Sequence, residues 1–71
     1  MLELQRAFDA VALLGLNARM YPGSANVYDS LGDGYVAAGD QARAVAAYQR
    51  SLALDPSNRH AAEAIRQIEG R

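Results

Sequence analysis

The two prolines of this chain are separated by a fixed repeat distance. Pro22 and Pro56 lie 34 residues apart, and each follows a stretch whose apolar residues recur three or four positions apart, the spacing of an amphipathic helix. The same shift places Val11 on Val45. A period of this length indicates helical units that each bury an apolar face against a neighbour.

Glycine and proline divide the sequence into four helical segments. The interruptions fall at residues 22–23, 39–40 and 55–56, and strand-like alternation of apolar and polar residues is nearly missing. The pattern predicts helices over about 2–20, from Ser24 as N-cap to Gly39, from Asp40 as N-cap to 54, and from Asn58 to about 69. In the third helix, the residues predicted to face inward are Ala44, Val45, Tyr48, Leu52 and Leu54. The predicted fold class is all-α.

Residues 25–58 carry an ordered series of large and small side chains around a glycine turn. In chain order the series is Tyr28, Leu31, Gly32, Tyr35, Gly39, Ala44, Tyr48, Ser51 and Pro56. This segment closely resembles a tetratricopeptide repeat, a helix-turn-helix unit of about 34 residues. It departs mildly from the pattern, with tyrosine for tryptophan at position 28 and serine for alanine at position 51. The resemblance implies two antiparallel helices that approach closely at the small residues, with the tyrosines filling the space beside them.

The two flanking segments resemble parts of further repeats. Residues 1–24 are similar to the second helix of a preceding repeat, and residues 59–71 to the first helix of a following one. Because Arg66 lies where that helix would need a glycine for close packing, we interpret 59–71 as a capping helix. The whole chain of 71 residues is therefore predicted to be one domain.

Composition disfavours several classes of function. Seven basic and eight acidic residues give a net charge of -1, which does not favour nucleic acid as a partner. There is no cysteine, and the single histidine, His60, leaves no zinc ligand set, so neither metal nor cofactor is expected. No apolar stretch is long enough to cross a membrane, and the chain shows no signal peptide.

Catalysis is also disfavoured by the residues available. The serines at positions 24, 30, 51 and 57 have only His60 as a candidate general base, and helix capping explains Ser57 more simply. The run Gly32-Asp33-Gly34 lacks the third glycine and the preceding strand of a dinucleotide-binding loop. The chain is predicted not to be an enzyme.

The resemblance implies a partner-binding groove along the first helix of the repeat. The residues at the groove positions are Asn26, Asp29, Ser30, Asp33, Val36 and Ala37. Family members that hold the C-terminal carboxylate of heat-shock chaperones have lysine, asparagine and arginine there, and Asp29 and Asp33 would repel such a ligand. A peptide carrying Lys or Arg fits better. The alternative, that the two aspartates form an ordinary solvated helix face, stays open.

The chain holds about one and a half repeats, whereas about three are usually needed for stability. The first helix then exposes an apolar surface, which we predict to mediate self-association as a symmetric homodimer or by an exchange of helices. The residues of this surface are Leu4, Phe8, Leu13 and Leu16. Alternatively, the chain is the C-terminal accessory segment of a larger bacterial protein, since residues 16–32 are similar to the tails of some bacterial serine hydrolases. A bacterial cytoplasmic location is then expected, unless a signal precedes the segment.

Overall fold

The computed structural model describes residues 2–70, with side chains from residue 5 onward. Its four helices are α1 (Leu2–Met20), α2 (Ala25–Ala37), α3 (Gln41–Leu54) and α4 (Arg59–Glu69). These bounds confirm the four predicted segments closely. The fold is all-α, and α2 and α3 form a hairpin like that of a tetratricopeptide repeat between one helix before it and one after it.

Polar N-caps and one glycine set the helix boundaries. The side chains of Ser24, Asp40 and Asn58 each accept a hydrogen bond from the backbone N–H three residues later, at the starts of α2, α3 and α4. Gly39 has a φ of 81° and makes the turn between α2 and α3, a conformation that costs glycine little because it has no Cβ. The predicted caps at Ser24 and Asp40 are confirmed.

The helices pack in chain order. α2 lies against both α1 and α3, and α4 lies against α3 while meeting α2 at few points. The Cα atoms span 35 × 33 × 14 Å, so the described residues form a slab in which each helix is covered mainly by its neighbours in sequence. α1 and α4 therefore form the two ends of the slab. None of these four helices is long and apolar enough to span a bilayer.

Two clusters of mostly small side chains make up the core. The buried members of the first are Ala18, Leu31 and Ala47, and those of the second are Ala44, Tyr48 and Ala61. Because alanine predominates, helix backbones come close together and the core depends on fit more than on large apolar volumes. Four of the five residues predicted to face inward in α3, namely Ala44, Val45, Tyr48 and Leu52, are buried or half-buried.

The prediction that Leu54 faces inward is wrong, because its side chain is 38% exposed. The Ser51 hydroxyl reaches the carbonyl oxygen of Ala25, the first residue of α2. The last turn of α3 therefore extends past the start of α2, and Leu54 has no helix beside it to cover it.

Two glycines of α2 allow its neighbours to approach. A Cβ added at Gly32 would lie 2.5 Å from the Tyr48 ring, as the close helix contact in the resemblance implied. A Cβ at Gly34 would lie 3.1 Å from Leu14 and 3.3 Å from Val11 on α1. Gly34, which the repeat pattern does not explain, thus serves the contact between α1 and α2.

Candidate functional site

A cleft of about 260 Å³ lies between α2 and α4. The residues that line it are Asp33, Val36, Gln41, Tyr48, His60, Ala64, Gln67 and Ile68. The lining combines a carboxylate, an imidazole and a phenol with apolar side chains, a mixture typical of sites that bind other molecules. Two residues predicted to bind a partner, Asp33 and Val36, face this space.

Asp29 connects α2 to the start of α4. Its Oδ1 lies 2.7 Å from His60 Nδ1, and its Oδ2 accepts a hydrogen bond from Asn58 Nδ2 at 3.1 Å. The Asp29 side chain is only 17% exposed. Its carboxylate is therefore engaged by the chain's own residues, and its role in binding a partner stays a prediction.

Asp33, one turn further along α2, contacts Tyr48. The Tyr48 hydroxyl donates to Asp33 Oδ1 at 2.5 Å, and His60 Nε2 lies 3.7 Å from the same oxygen. The Tyr48 ring also meets the His60 imidazole edge to face, with centroids 6.1 Å apart. Burial and the Asp33 carboxylate raise the pKa of Tyr48 well above its usual value, so the phenol stays a hydrogen-bond donor.

Ser51 extends this polar network into the interior. Its side chain is fully buried, donates to the Ala25 carbonyl oxygen at 2.8 Å and accepts from Asn58 Nδ2 at 2.9 Å. One amide, that of Asn58, thus bonds both Ser51 and Asp29 while its oxygen caps α4. The serine that departs from the repeat pattern at position 51 joins α3 to α2 and α4.

Asp29, Asp33 and His60 form the set of described side chains that could hold a metal ion, with ligand atoms within 4.8 Å of one another. The same atoms already bond one another and Tyr48, so a cation would have to displace those hydrogen bonds. The hydrogen bond with Asp29, and the charge of that carboxylate, raise the pKa of His60 above its usual value. Sequence reasoning missed this cluster because the histidine and the aspartates are about thirty positions apart.

The other predicted groove residues are spread along α2. Asn26, Ser30 and Ala37 are exposed but are not part of the cleft lining, so α2 does not gather all six residues into one site. Ser57, considered with His60 as a nucleophile, instead donates its hydroxyl to Asp55 at 2.6 Å. Binding of a Lys- or Arg-containing peptide along α2 stays a prediction.

α1 carries the exposed apolar surface predicted from the sequence. Phe8, Leu13 and Leu16 are 53%, 67% and 54% exposed, and Met20 and Tyr21 extend this surface. The side chain of Leu4, also predicted to belong to it, lies outside the described residues. Large apolar side chains exposed to this extent, in a chain with so small a core, are typical of a surface that contacts another protein segment.

The 34-residue shift separates these exposed residues into two groups. Leu13 corresponds to Ala47, which is 6% exposed, whereas Leu16 corresponds to the exposed Arg50. Four positions of α3 are buried, and each has an equivalent in α1 at the 34-residue shift. The pairs, with the α3 residue first, are Ala44 with Ala10, Ala47 with Leu13, Tyr48 with Leu14, and Ser51 with Asn17. We call the two exposed members of this set in α1, Leu13 and Asn17, the end face. Their equivalents in α3, Ala47 and Ser51, are buried, whereas Leu14 packs against Gly34 of α2.

Comparison with known proteins gives one relative and no family assignment. No protein-family model matches the chain, and no solved structure matches it. The Hsp70-Hsp90 organizing protein of Triticum aestivum is 41% identical to it over 56 residues, which are 79% of this chain and 10% of the relative. The chain thus spans about a tenth of the length of that relative. The fold is that of a tetratricopeptide-like helical repeat. The similarity to the Triticum aestivum protein supports the same description of the fold.

Proposed function

We propose that this chain is a non-catalytic protein-protein interaction module that pairs with a second copy of itself through the end face of α1. The observation that carries the proposal is the contrast between Leu13, 67% exposed, and its equivalent Ala47, 6% exposed. In this interpretation α1 is the second helix of a preceding repeat, and residues 25–58 are the complete one. A helix in the place that α2 takes against α3 would cover Leu13.

The two ends of the slab favour a symmetric pair over a chain of copies. Exposed α4 residues at one end include Glu63 and Arg66, whereas the other end carries Leu13. Head-to-tail stacking would place apolar side chains against charges, which costs free energy when the charges lose water. Pairing of α1 with α1 places apolar surface on apolar surface and closes the assembly as a dimer.

The relative supports an interaction role in general terms. Its name describes a protein that organizes Hsp70 and Hsp90, and the aligned segment covers most of this chain. We propose from this that the chain contacts other proteins. Acidic residues in α2 make the acidic tail of a partner a poor ligand for the α2–α4 cleft, since the Asp33 carboxylate faces it.

A second candidate function is an accessory segment within a longer polypeptide, such as a serine hydrolase-like enzyme. The match to a tenth of a relative's length favours a longer polypeptide. The hydrolase context rests on the resemblance of residues 16–32 alone. The end face of α1 would then be covered by a preceding helix of the same polypeptide. The mass of the native polypeptide in its source cell separates the two candidates, because 7.6 kDa excludes the longer polypeptide and a much larger mass excludes the self-contained module.

The self-association proposal is tested by one variant and a matched control. Leu13→Asn and Leu16→Asn change the same residue type at similarly exposed positions of α1. Sedimentation equilibrium over a dilution series should show a wild-type dimer, a monomer for Leu13→Asn and a dimer for Leu16→Asn. A wild-type monomer throughout the series, or equal loss of mass in both variants, would contradict pairing through the end face.

A further inference from the structure

A second groove lies on a different side of α2 from the polar cleft. It runs between α1 and α3, which do not contact each other within the described residues. Its α1 half measures about 680 Å³ and its α3 half about 250 Å³, and both halves share Tyr28, Leu31 and Tyr35 as lining. The shared residues make α2 the floor of one continuous groove.

Small side chains keep this groove open. Ala12 and Gly15 line it on α1, and Ala46 and Ala47 line it on α3. A Cβ placed at Gly15 would meet nothing within 4 Å, so there is free space above this wall. Leu16, 54% exposed, adds an apolar side chain at the edge.

The charged side chains that line the groove are all arginines. Arg19 lines the α1 half, and Arg43 and Arg50 line the α3 half, while neither lining includes a carboxylate. The Arg50 guanidinium lies 5.6 Å from the centroid of the Tyr28 ring, which holds it at the floor of the groove. Arg43 is paired with Asp40 at 3.5 Å, but its side chain remains 71% exposed.

The two acidic side chains of α2 lie on its other side. Asp29 and Asp33 bond to His60, Asn58 and Tyr48 beside the α2–α4 cleft. A chain with a net charge of only -1 therefore presents two sides of opposite character, one acidic and one basic. Such separation selects partners by the sign of their charge.

We propose that the groove between α1 and α3 binds an acidic amphipathic segment of another protein. Apolar side chains of the segment would enter between the two helices and contact Tyr28, Leu31 and Tyr35. Its carboxylates would pair with Arg19 and Arg50, for which the guanidinium offers two parallel donors. This site is distinct from the end face of α1, since Leu16 and Arg19 line it and Leu13 does not.

The probe is a short fluorescent peptide of three helical turns with leucine every three or four positions and glutamate between them. A second peptide carries lysine at every glutamate position. By fluorescence anisotropy, the glutamate peptide should bind at least about tenfold more tightly than the lysine peptide. Arg50→Glu and Arg19→Glu should each lower the affinity for the glutamate peptide by about tenfold. Asp33→Asn, on the other side of α2, should change that affinity less than about twofold.

Three outcomes would overturn the proposal. Equal affinity for the two peptides would show that charge does not select the partner. Binding that neither arginine substitution affects would show that the peptide binds outside the groove. Absence of peptide binding combined with a dimer that Leu16→Asn disrupts would mean that a second copy fills the groove. Circular dichroism should show that each variant retains its helices, since all substituted side chains are exposed.

Discussion

His60 Nδ1 lies 2.7 Å from Asp29 Oδ1 and thereby connects the first turn of α4 to the middle of α2. These two helices meet at few points, and the pair is one of the direct contacts between them. Because the Asp29 side chain is mostly covered and the imidazole is mostly exposed, the contact is a bridge at the edge of the fold and not a buried ion pair.

Stability should fall as the pH rises through the pKa of His60. The Asp29 hydrogen bond, followed by the Asp29 charge, raises the folded-state pKa of His60 above the 6.5 of a free imidazole. The bridge therefore contributes fully below the unfolded-state pKa and is lost as pH rises past the folded-state pKa. Thermal unfolding followed by circular dichroism should give a higher Tm at about pH 5.5 than at about pH 8.5.

The His60→Gln variant isolates this effect from other titrating groups. Glutamine can still reach Asp29 but carries no charge that depends on pH. Its Tm difference between the two pH values should be smaller than that of the wild type. A wild-type Tm that rises over the same interval, relative to the variant, would show that the bridge contributes no stability in its protonated form.

Gly32→Ala should destabilise the fold. The added Cβ would lie 2.5 Å from the Tyr48 ring, whose hydroxyl is held by Asp33. We expect a net loss of about 2 kcal/mol, since overpacking costs more than the helix propensity that alanine gains. The matched control is Gly15→Ala, also within a helix but with open space around its Cβ, which should gain about 0.5 kcal/mol. Urea unfolding measures both, and equal effects would contradict the close contact.

Ser51→Ala should cost about 1 kcal/mol, because it removes the buried hydrogen bonds with the Ala25 carbonyl and the Asn58 amide. Ser30→Ala, an exposed serine on α2, should leave the free energy of unfolding unchanged or raise it by about 0.5 kcal/mol. Chemical denaturation compares the two. A Ser51→Ala variant as stable as the wild type would show that the hydroxyl only fills space.

Local signals allowed the helices to be predicted closely. Ser24 and Asp40 cap the helices that follow them, and Gly39 takes the left-handed turn, all of which depend on neighbouring residues. The position of Tyr48 beside Gly32 was implied by the resemblance, which places small residues where the two helices approach and tyrosines in the space beside them. Features set within one helix or one hairpin were therefore accessible from sequence.

Features that depend on distant residues were not accessible. The Asp29 carboxylate is covered because α4 places His60 and Asn58 beside it, and no local pattern marks that meeting. Gly34 is explained only by the side chains of Val11 and Leu14 on α1. Leu54 fits the helical period of α3 and is exposed because α2 begins too late to cover it.

Pairing of the end face of α1 with its own copy is tested most directly by a mixed-label NMR experiment. One sample of the chain carries ¹³C-labelled methyl groups, a second is unlabelled, and an isotope-filtered spectrum of the mixture reports only contacts between copies. The proposed dimer predicts intermolecular contacts from the Leu13 methyl groups to α1 of the other copy. Contacts from Leu13 to α4, or none at a concentration where the wild type has dimer mass, would contradict it.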